Sequence, residues 1–192
     1  MNLKKILVFI VIAQFCCTSL WFAGNAVMND LMVNFNLSAN NLGYLTSSVQ
    51  FGFIIGTLLF AIFNIADRFS PSKVFFVCAL VGSLANFCMT LDINTLTTLL
   101  IFRFLTGFFL AGIYPIGMKI ATDYFEKGLG TSLGFLVGAL VLGTAFPHIL
   151  KGNESLFLWS SVIYTTSALA ILGGLLIFLL VPDGPHRKPG KK

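Results

Sequence analysis

Apolar residues run through this chain in six long stretches, separated by short polar segments. The stretches begin near Leu3, Leu42, Val74, Leu96, Leu129 and Leu156. A hydrocarbon core roughly 30 Å thick takes about 20 helical residues to cross, so each stretch predicts a membrane-spanning helix. We place the ends of these spans near Met28, Ile65, Leu91, Tyr124, Leu150 and Val181.

The polar connections between the spans also carry structural signals. Residues 29–41 are expected to form an external connection, and the segment around Ser38 offers a cap for the second span. The turn 92–95 is so short that spans three and four must be antiparallel neighbours. Pro115 is expected to kink span four, because proline removes a helical hydrogen bond.

Composition supports one membrane domain. Of the 192 residues, 57% are hydrophobic and 10% are charged, and no polar segment is long enough for a soluble domain. The predicted fold class is therefore an all-α membrane protein with a six-transmembrane-helix bundle. Residues 1–182 form the bundle, and residues 183–192 form a polar tail rich in proline, glycine and lysine.

The positive charges lie on alternate sides of the bundle. Ten of them precede the first span, follow every second span or lie in the tail: Lys4, Lys5, Arg68, Lys73, Lys119, Lys127, Arg187, Lys188, Lys191 and Lys192. The other connections hold one basic residue, Lys151. Cytoplasmic loops are rich in Lys and Arg, so both termini are expected in the cytoplasm, with the chain in the plasma (inner) membrane. Because these charges are spread over several loops, they do not form a nucleic-acid-binding surface. The lipid bilayer is therefore the expected partner.

Enzyme chemistry finds no support in the sequence. The two histidines, His148 and His186, are expected on opposite sides of the membrane. The aspartates are in connections or at span ends. No Gly-x-x-x-x-Gly-Lys-Ser/Thr motif is present for ATP binding. The cysteines lie inside apolar spans without metal-ligand spacing: Cys16, Cys17, Cys78 and Cys88. We therefore expect no catalytic residues, no metal and no cofactor.

Arg103 is the most informative single residue, because it lies about two turns inside span four. A central arginine costs roughly 2.5–3.5 kcal/mol on insertion scales, so it should face the interior or a wet cavity. One interpretation is a contact to an anionic solute or a charge that couples conformations. The other is a structural arginine, either bonded to backbone carbonyls or snorkelling outward.

Four polar or amphipathic residues form a stripe on the first span. Gln14, Thr18, Trp21 and Asn25 are spaced by four, three and four, which places them on one helical face. Lipid offers no hydrogen bonds, so this first-span stripe should face protein or water. It is either one wall of a solute path or an interhelical hydrogen-bonding face. Gln50 in span two is a similar, weaker candidate.

Three pairs of small residues are spaced by four: Gly52/Gly56, Gly107/Ala111 and Gly134/Gly138. Small residues at this spacing let two membrane helices approach closely. We therefore expect all three pairs to mark helix–helix contacts.

Three segments resemble signatures of the major facilitator superfamily. Residues 66–73 read Ala-Asp-Arg-Phe-Ser-Pro-Ser-Lys, similar to that family's Asp-Arg-x-Gly-Arg-Lys loop between helices two and three. Residues 103–107, Arg-Phe-Leu-Thr-Gly, resemble its Arg-x-x-x-Gly element in helix four, and residues 134–138 resemble the start of its glycine-rich fifth-helix motif. Six spans with cytoplasmic termini match one half of the usual twelve, and the tail resembles the start of the linker between halves.

The resemblance assigns roles to three charges and departs from the family elsewhere. In the family, the loop aspartate caps a helix and locks the outward-open state, while the arginine pairs with an acid at the end of helix four. These roles fall on Asp67 and Arg68, with Asp123 as the acid. Phe63, Ser70 and Pro71 replace residues of the loop signature, and Ala139 and Leu142 replace residues of the fifth-helix motif. The fifth-helix motif is associated with antiporters in the family. Because the motif is incomplete here, it gives no argument for antiport.

The resemblance implies secondary active transport of a small solute by alternating access, with this chain as one half of a carrier. Arg103 favours an anionic solute, and the path would run along the first-span stripe, Gln50 and Arg103. The alternative is a non-transporting or truncated half-transporter that acts as a membrane scaffold. In an isolated half, the face shared by Arg103 and the stripe would be an open polar groove. We therefore expect a second six-helix half, or a second copy of the chain, to cover it.

Overall fold

The hydrophobic pattern becomes ten helices in the computed structural model, which describes residues 3–152 and 158–187. They are α1 (Leu3–Thr18), α2 (Leu20–Ala26), α3 (Met28–Asn34), α4 (Ala39–Ile62), α5 (Ile65–Arg68), α6 (Pro71–Cys88), α7 (Leu96–Leu110), α8 (Tyr114–Tyr124), α9 (Leu129–Lys151) and α10 (Trp159–Leu180). Six stretches are long and apolar enough to cross a membrane: Leu3–Ala26, Ala39–Ile62, Pro71–Cys88, Leu96–Tyr124, Leu129–Lys151 and Trp159–Leu180. The predicted all-α fold of six spans is confirmed.

Local sequence explains where several helices begin. Ser70 caps α6, with its side chain accepting a bond from the Lys73 amide and Pro71 in the first turn. Thr95 and Thr98 form a reciprocal capping box at the start of α7. Ser38 occupies the cap position of α4, as predicted, but its side chain makes no capping bond.

Two spans are interrupted, and each break has a local cause. Span four divides into α7 and α8 just before Pro115, which has no N–H and would crowd the carbonyl of Ala111. In span one, the Thr18 and Ser19 hydroxyls bond back to the carbonyls of Gln14 and Cys16 at 2.8 and 2.7 Å. Such back-bonding competes with the helix and bends it, and α1 gives way to α2 at Ser19.

The connection 29–41, expected to be polar and external, also contains regular structure. Its first part is helical, because α3 runs from Met28 to Asn34. Leu31 anchors α3 by packing, fully buried, among Val27, Leu45 and Met89 in an apolar cluster. The burial of Leu31 therefore stabilises a helix within this otherwise polar connection.

Helices α4 and α7 approach each other more closely than side chains would normally allow. A Cβ atom on Gly107 would lie 1.9 Å from the Val49 carbonyl oxygen, and one on Gly52 would lie 2.1 Å from that of Phe104. These glycines confirm the contacts predicted for the first two small-residue pairs. The third pair differs, because nothing in the described chain comes within 4 Å of a Cβ on Gly134 or Gly138.

Candidate functional site

Arg103 lies on α7 and is fully buried. Its Nη2 donates to Asn25 Oδ1, its Nη1 donates to the Trp21 carbonyl at 3.3 Å, and its Nε donates to the Leu45 carbonyl at 3.4 Å. The guanidinium therefore joins α7 to α2 and α4. Two of its acceptors are backbone carbonyls, as the structural interpretation of this arginine required.

The expectation of an open polar groove at Arg103 is wrong for this state. Gln14, Thr18 and Arg103 are all fully buried inside the six-helix bundle. The physical reason is that α2 and α4 supply acceptors for three of its N–H groups, so the guanidinium is buried within the chain without a cover. Burial of Arg103 by itself does not require a second unit.

The first-span stripe is enclosed by protein at Gln14 and Thr18 and partly enclosed at Trp21 and Asn25. Trp21 and Asn25 are half-buried, and the Trp21 ring packs on Phe53 with centroids 4.5 Å apart. The Gln14 carboxamide is closed in beside Gly117, where a Cβ would lie 2.3 Å from Gln14 Oε1. Neither polar atom of that carboxamide has a hydrogen-bond partner among the described residues. A buried amide without partners costs about 1–3 kcal/mol, which makes Gln14 the least satisfied member of the stripe.

A polar connection runs from Arg103 to an open cleft beside α4. Asn25 accepts from Arg103 and donates through Nδ2 to the Thr46 hydroxyl at 3.1 Å. Thr46 in turn lines a cleft of about 580 Å³, which we call the α4 cleft. Its other lining residues are Tyr44, Ser47, Ser48, Gln50, Phe51, Ile54 and Leu100. Gln50 is therefore not beside Arg103, but it shares the cleft that Thr46 and Asn25 connect to the arginine.

A charge cluster lies at the end of the bundle where α8 ends and residues 181–187 follow α10. The Lys119 ammonium is 2.7 Å from Asp123 and 3.6 Å from Asp67, and the Asp123 side chain is 5% exposed. Asp67 and Asp123 thus come together as expected, but through Lys119. The expected pair of Arg68 with Asp123 is absent, and Arg68 makes no side-chain hydrogen bond or ion pair within residues 3–152 and 158–187. Lys119 lies one helical turn before Asp123, so a lysine already on the same helix holds this acid.

The segment after α10 folds back over the same end of the bundle. The Val181 and Pro182 carbonyls accept bonds from the Ser72 and Tyr124 hydroxyls, and the His186 amide donates to the Asp123 carbonyl at 3.0 Å. Gly184 permits this approach, because a Cβ there would lie 2.4 Å from the Asp123 carbonyl oxygen. The segment therefore connects spans three, four and six beside the charge cluster.

Sequence reasoning missed two polar residues that the structure shows at key positions. Lys119 carried an available signal, since a lysine and an aspartate spaced by four on one helix pair readily. Asn86 is fully buried on α6 and donates to Thr166 and Ser167 on α10, the latter at 2.9 Å. No spacing in the sequence identifies these cross-helix partners.

The chain belongs to the major facilitator superfamily, whose family model matches residues 10–192. The bundle resembles a bacterial homolog of the human lysosomal transporter Spinster, in an inward-facing and occupied conformation, with a TM-score of 0.78 at 18% identity. That match covers 95% of this chain and 45% of the Spinster homolog. The xylose transporter XylE from E. coli, inward open, matches with a TM-score of 0.69 at 20% identity, over 97% of this chain and 50% of XylE.

Curated relatives are transport and resistance proteins. The chain is 24% identical to a bicyclomycin resistance protein homolog of Haemophilus influenzae over 84% of its own length and 40% of the relative's. It is 33% identical to the niacin transporter NiaP of Acinetobacter baylyi over 64% of this chain and 29% of NiaP. The benzoate transport protein of the same organism is 28% identical over 79% of this chain and 32% of that protein. The chain thus spans less than half the length of these relatives, and it is an integral, multi-pass membrane protein of a transporter family.

Lys119 provides a direct test of the charge cluster. We expect Lys119→Met to lower the free energy of unfolding by about 1–2 kcal/mol, because it leaves the buried Asp123 carboxylate without its cation. Unfolding in mixed micelles measures this loss. Lys127→Met is the matched control, since Lys127 is exposed at the same end. Equal stability of the two variants would show that Lys119 does not stabilise Asp123.

Proposed function

We propose that this chain is one half of a secondary active carrier that moves a small solute by alternating access. Membership of the major facilitator superfamily supports transport as the activity, and the six spans correspond to about half of the matched structures. We propose no enzymatic activity, since the family's members are transporters. The partner that completes the path is a second six-helix half or a second copy of the chain.

The observation that carries the proposal is the polar connection from Arg103 through Asn25 and Thr46 to the α4 cleft. Polar groups inside a membrane bundle are costly, and those that lead from a buried charge to an open cleft suit a solute path. Gln14, Thr18 and Trp21 continue the same helical face inwards, and Gln50 lies on the cleft. These residues are the proposed path.

Arg103 favours a carboxylate-bearing solute. Its three bonds within the described chain use three of the five N–H groups of a guanidinium, which leaves two for another acceptor. A guanidinium matches the geometry of a carboxylate. Since Arg103 is buried in this state, solute contact requires α2, α4 and α7 to separate, and alternating access supplies such a change. Niacin and benzoate, named for two relatives, are carboxylates of suitable size.

Uptake assays test the function directly. Radiolabelled niacin and benzoate, with neutral nicotinamide as control, are offered to vesicles that contain the purified chain alone or together with a candidate second half. We expect accumulation of a carboxylate when both halves are present, and at least a tenfold loss with Arg103→Lys, whose ammonium lacks the planar fork. Absence of uptake of every carboxylate with a stably paired second half would favour the scaffold alternative.

The charge cluster is the proposed conformational switch. Asp67 and Asp123 share Lys119, and the cluster ties the α8 end to the connection after span two. An ion pair between helix ends that forms in only one of two conformations stabilises that conformation relative to the other. Arg68 belongs to the proposed switch through the family resemblance, although it lies outside the cluster in this state.

We propose that both termini are cytoplasmic and that the chain resides in the plasma (inner) membrane. The unequal distribution of basic residues supports this orientation. In a variant with all four native cysteines replaced by serine, Asn36→Cys should react with a membrane-impermeant maleimide in intact cells. Gly190→Cys should react only after the cells have been permeabilised. Equal labelling of both positions in intact cells would contradict the orientation.

A further inference from the structure

An apolar groove with two unmatched cations lies at the same end of the bundle as the charge cluster. It has a volume of about 510 Å³ and is lined by apolar side chains of α4, α6 and α7, including Phe60, Val77 and Phe109. Arg68 and Lys73 line it as well, and both are exposed. We call it the Arg68–Lys73 groove. No lining residue in the described chain is acidic.

The neighbouring acids are already engaged with other cations. Asp67, adjacent to Arg68 in the chain, lies 3.6 Å from Lys119. Asp183 accepts from the Ser70 hydroxyl at 2.6 Å and is paired with Arg187. Neither Arg68 nor Lys73 has an ion-pair partner within the described residues. Two exposed positive charges at the rim of an apolar groove are therefore available to bind an anion.

We propose that the Arg68–Lys73 groove binds an anionic phospholipid of the surrounding bilayer. The phosphate would lie between the two cations, and an acyl chain would follow the apolar wall past Val77, which is 52% exposed. A soluble anion would use the charges but not the apolar wall, and a neutral lipid would use the wall but not the charges. Basic pockets between membrane helices bind anionic headgroups on the cytoplasmic side for this reason. Lipid binding here is distinct from solute transport and does not depend on it.

Native mass spectrometry of the full chain, released from an uncharged detergent, tests the site. The protein is incubated with equal amounts of phosphatidylglycerol and phosphatidylcholine of the same acyl chains, and the ratio of retained lipids is measured. We expect Arg68→Gln/Lys73→Gln to lower the preference for phosphatidylglycerol about thirtyfold. That is about 2 kcal/mol at 1.4 kcal/mol per tenfold change. Lys5→Gln/Lys127→Gln removes the same charge from exposed positions outside the groove and should leave the preference unchanged.

Two further arms separate a lipid from a free phosphate. Val77→Trp fills the groove without altering charge and should reduce retained phosphatidylglycerol at least fivefold. Excess inorganic phosphate should leave retention unchanged. An equal preference in the Arg68/Lys73 and Lys5/Lys127 double variants would overturn the proposal. So would displacement by inorganic phosphate together with no effect of Val77→Trp, since that pair of results would assign a site for a free anion.

Discussion

Gly107→Ala should lower the free energy of unfolding by about 3 kcal/mol, whereas Gly134→Ala should leave it unchanged or raise it. A Cβ on Gly107 would lie 1.9 Å from the Val49 carbonyl oxygen and 3.0 Å from the Phe53 amide nitrogen, both backbone atoms that cannot rotate away. Helices α4 and α7 must therefore move apart, and overpacking of this kind costs about 1–3 kcal/mol or more. Gly134 also lies within a helix but has open space around it, so alanine there gains up to about 1 kcal/mol of helix propensity.

Unfolding by sodium dodecyl sulfate in mixed micelles measures both variants, with helicity as the readout. The two substitutions are chemically identical, so they differ in the surroundings of the added methyl group alone. Equal stabilities for Gly107→Ala and Gly134→Ala would contradict the close approach of α4 and α7.

Arg103 and Asn25 should show strong energetic coupling. Asn25→Leu leaves the buried guanidinium without one acceptor, and Arg103→Met leaves the Asn25 carboxamide oxygen without its charged donor. A hydrogen bond to a charged group contributes about 1.5–3 kcal/mol. We expect each single variant to lose about 2 kcal/mol of unfolding free energy. The double variant should lose about 2 kcal/mol less than the sum of the two single losses, because each single variant already removes the same hydrogen bond.

A double-mutant cycle under the same micelle conditions measures this coupling. Asn25 and Lys127 form the matched control pair, because Lys127 is exposed in the connection between α8 and α9, whereas Asn25 lies on α2. Losses for Arg103 and Asn25 that add to within about 0.5 kcal/mol would show that the bond between them does not stabilise the bundle.

The sequence predicted the six spans well because lipid imposes one strong requirement. Each crossing must be helical, apolar and about 20 residues long, and this leaves a signal in every span. Pro115 also predicted the break in span four, since the loss of an N–H is a local effect. The cap position at Ser38 was predictable for the same reason.

The burial of Arg103 was predictable from the sequence, but the arrangement of the residues around it was not. The cost of a membrane-buried arginine identified Arg103 as an internal residue. Its acceptors include the backbone carbonyls of Trp21 and Leu45, and a carbonyl has no sequence signature. For that reason the open groove expected at Arg103 is absent. Asp123 was likewise a visible acid, yet the choice between Arg68 and Lys119 depended on which cation the packed helices bring within 4 Å.

The glycine pairs separate most clearly what sequence alone determined from what the tertiary structure decided. Gly107 and Gly134 carry the same small-residue signal, and both lie in membrane-spanning helices, as hydrophobicity along the chain required. One lies against the backbone of α4, and the other has nothing within 4 Å in the described chain. Hydrophobicity determines which residues enter the membrane, because transfer from water depends on each residue's own chemistry. Which helices then meet depends on the fit between surfaces far apart in the sequence, and the folded bundle alone decides it.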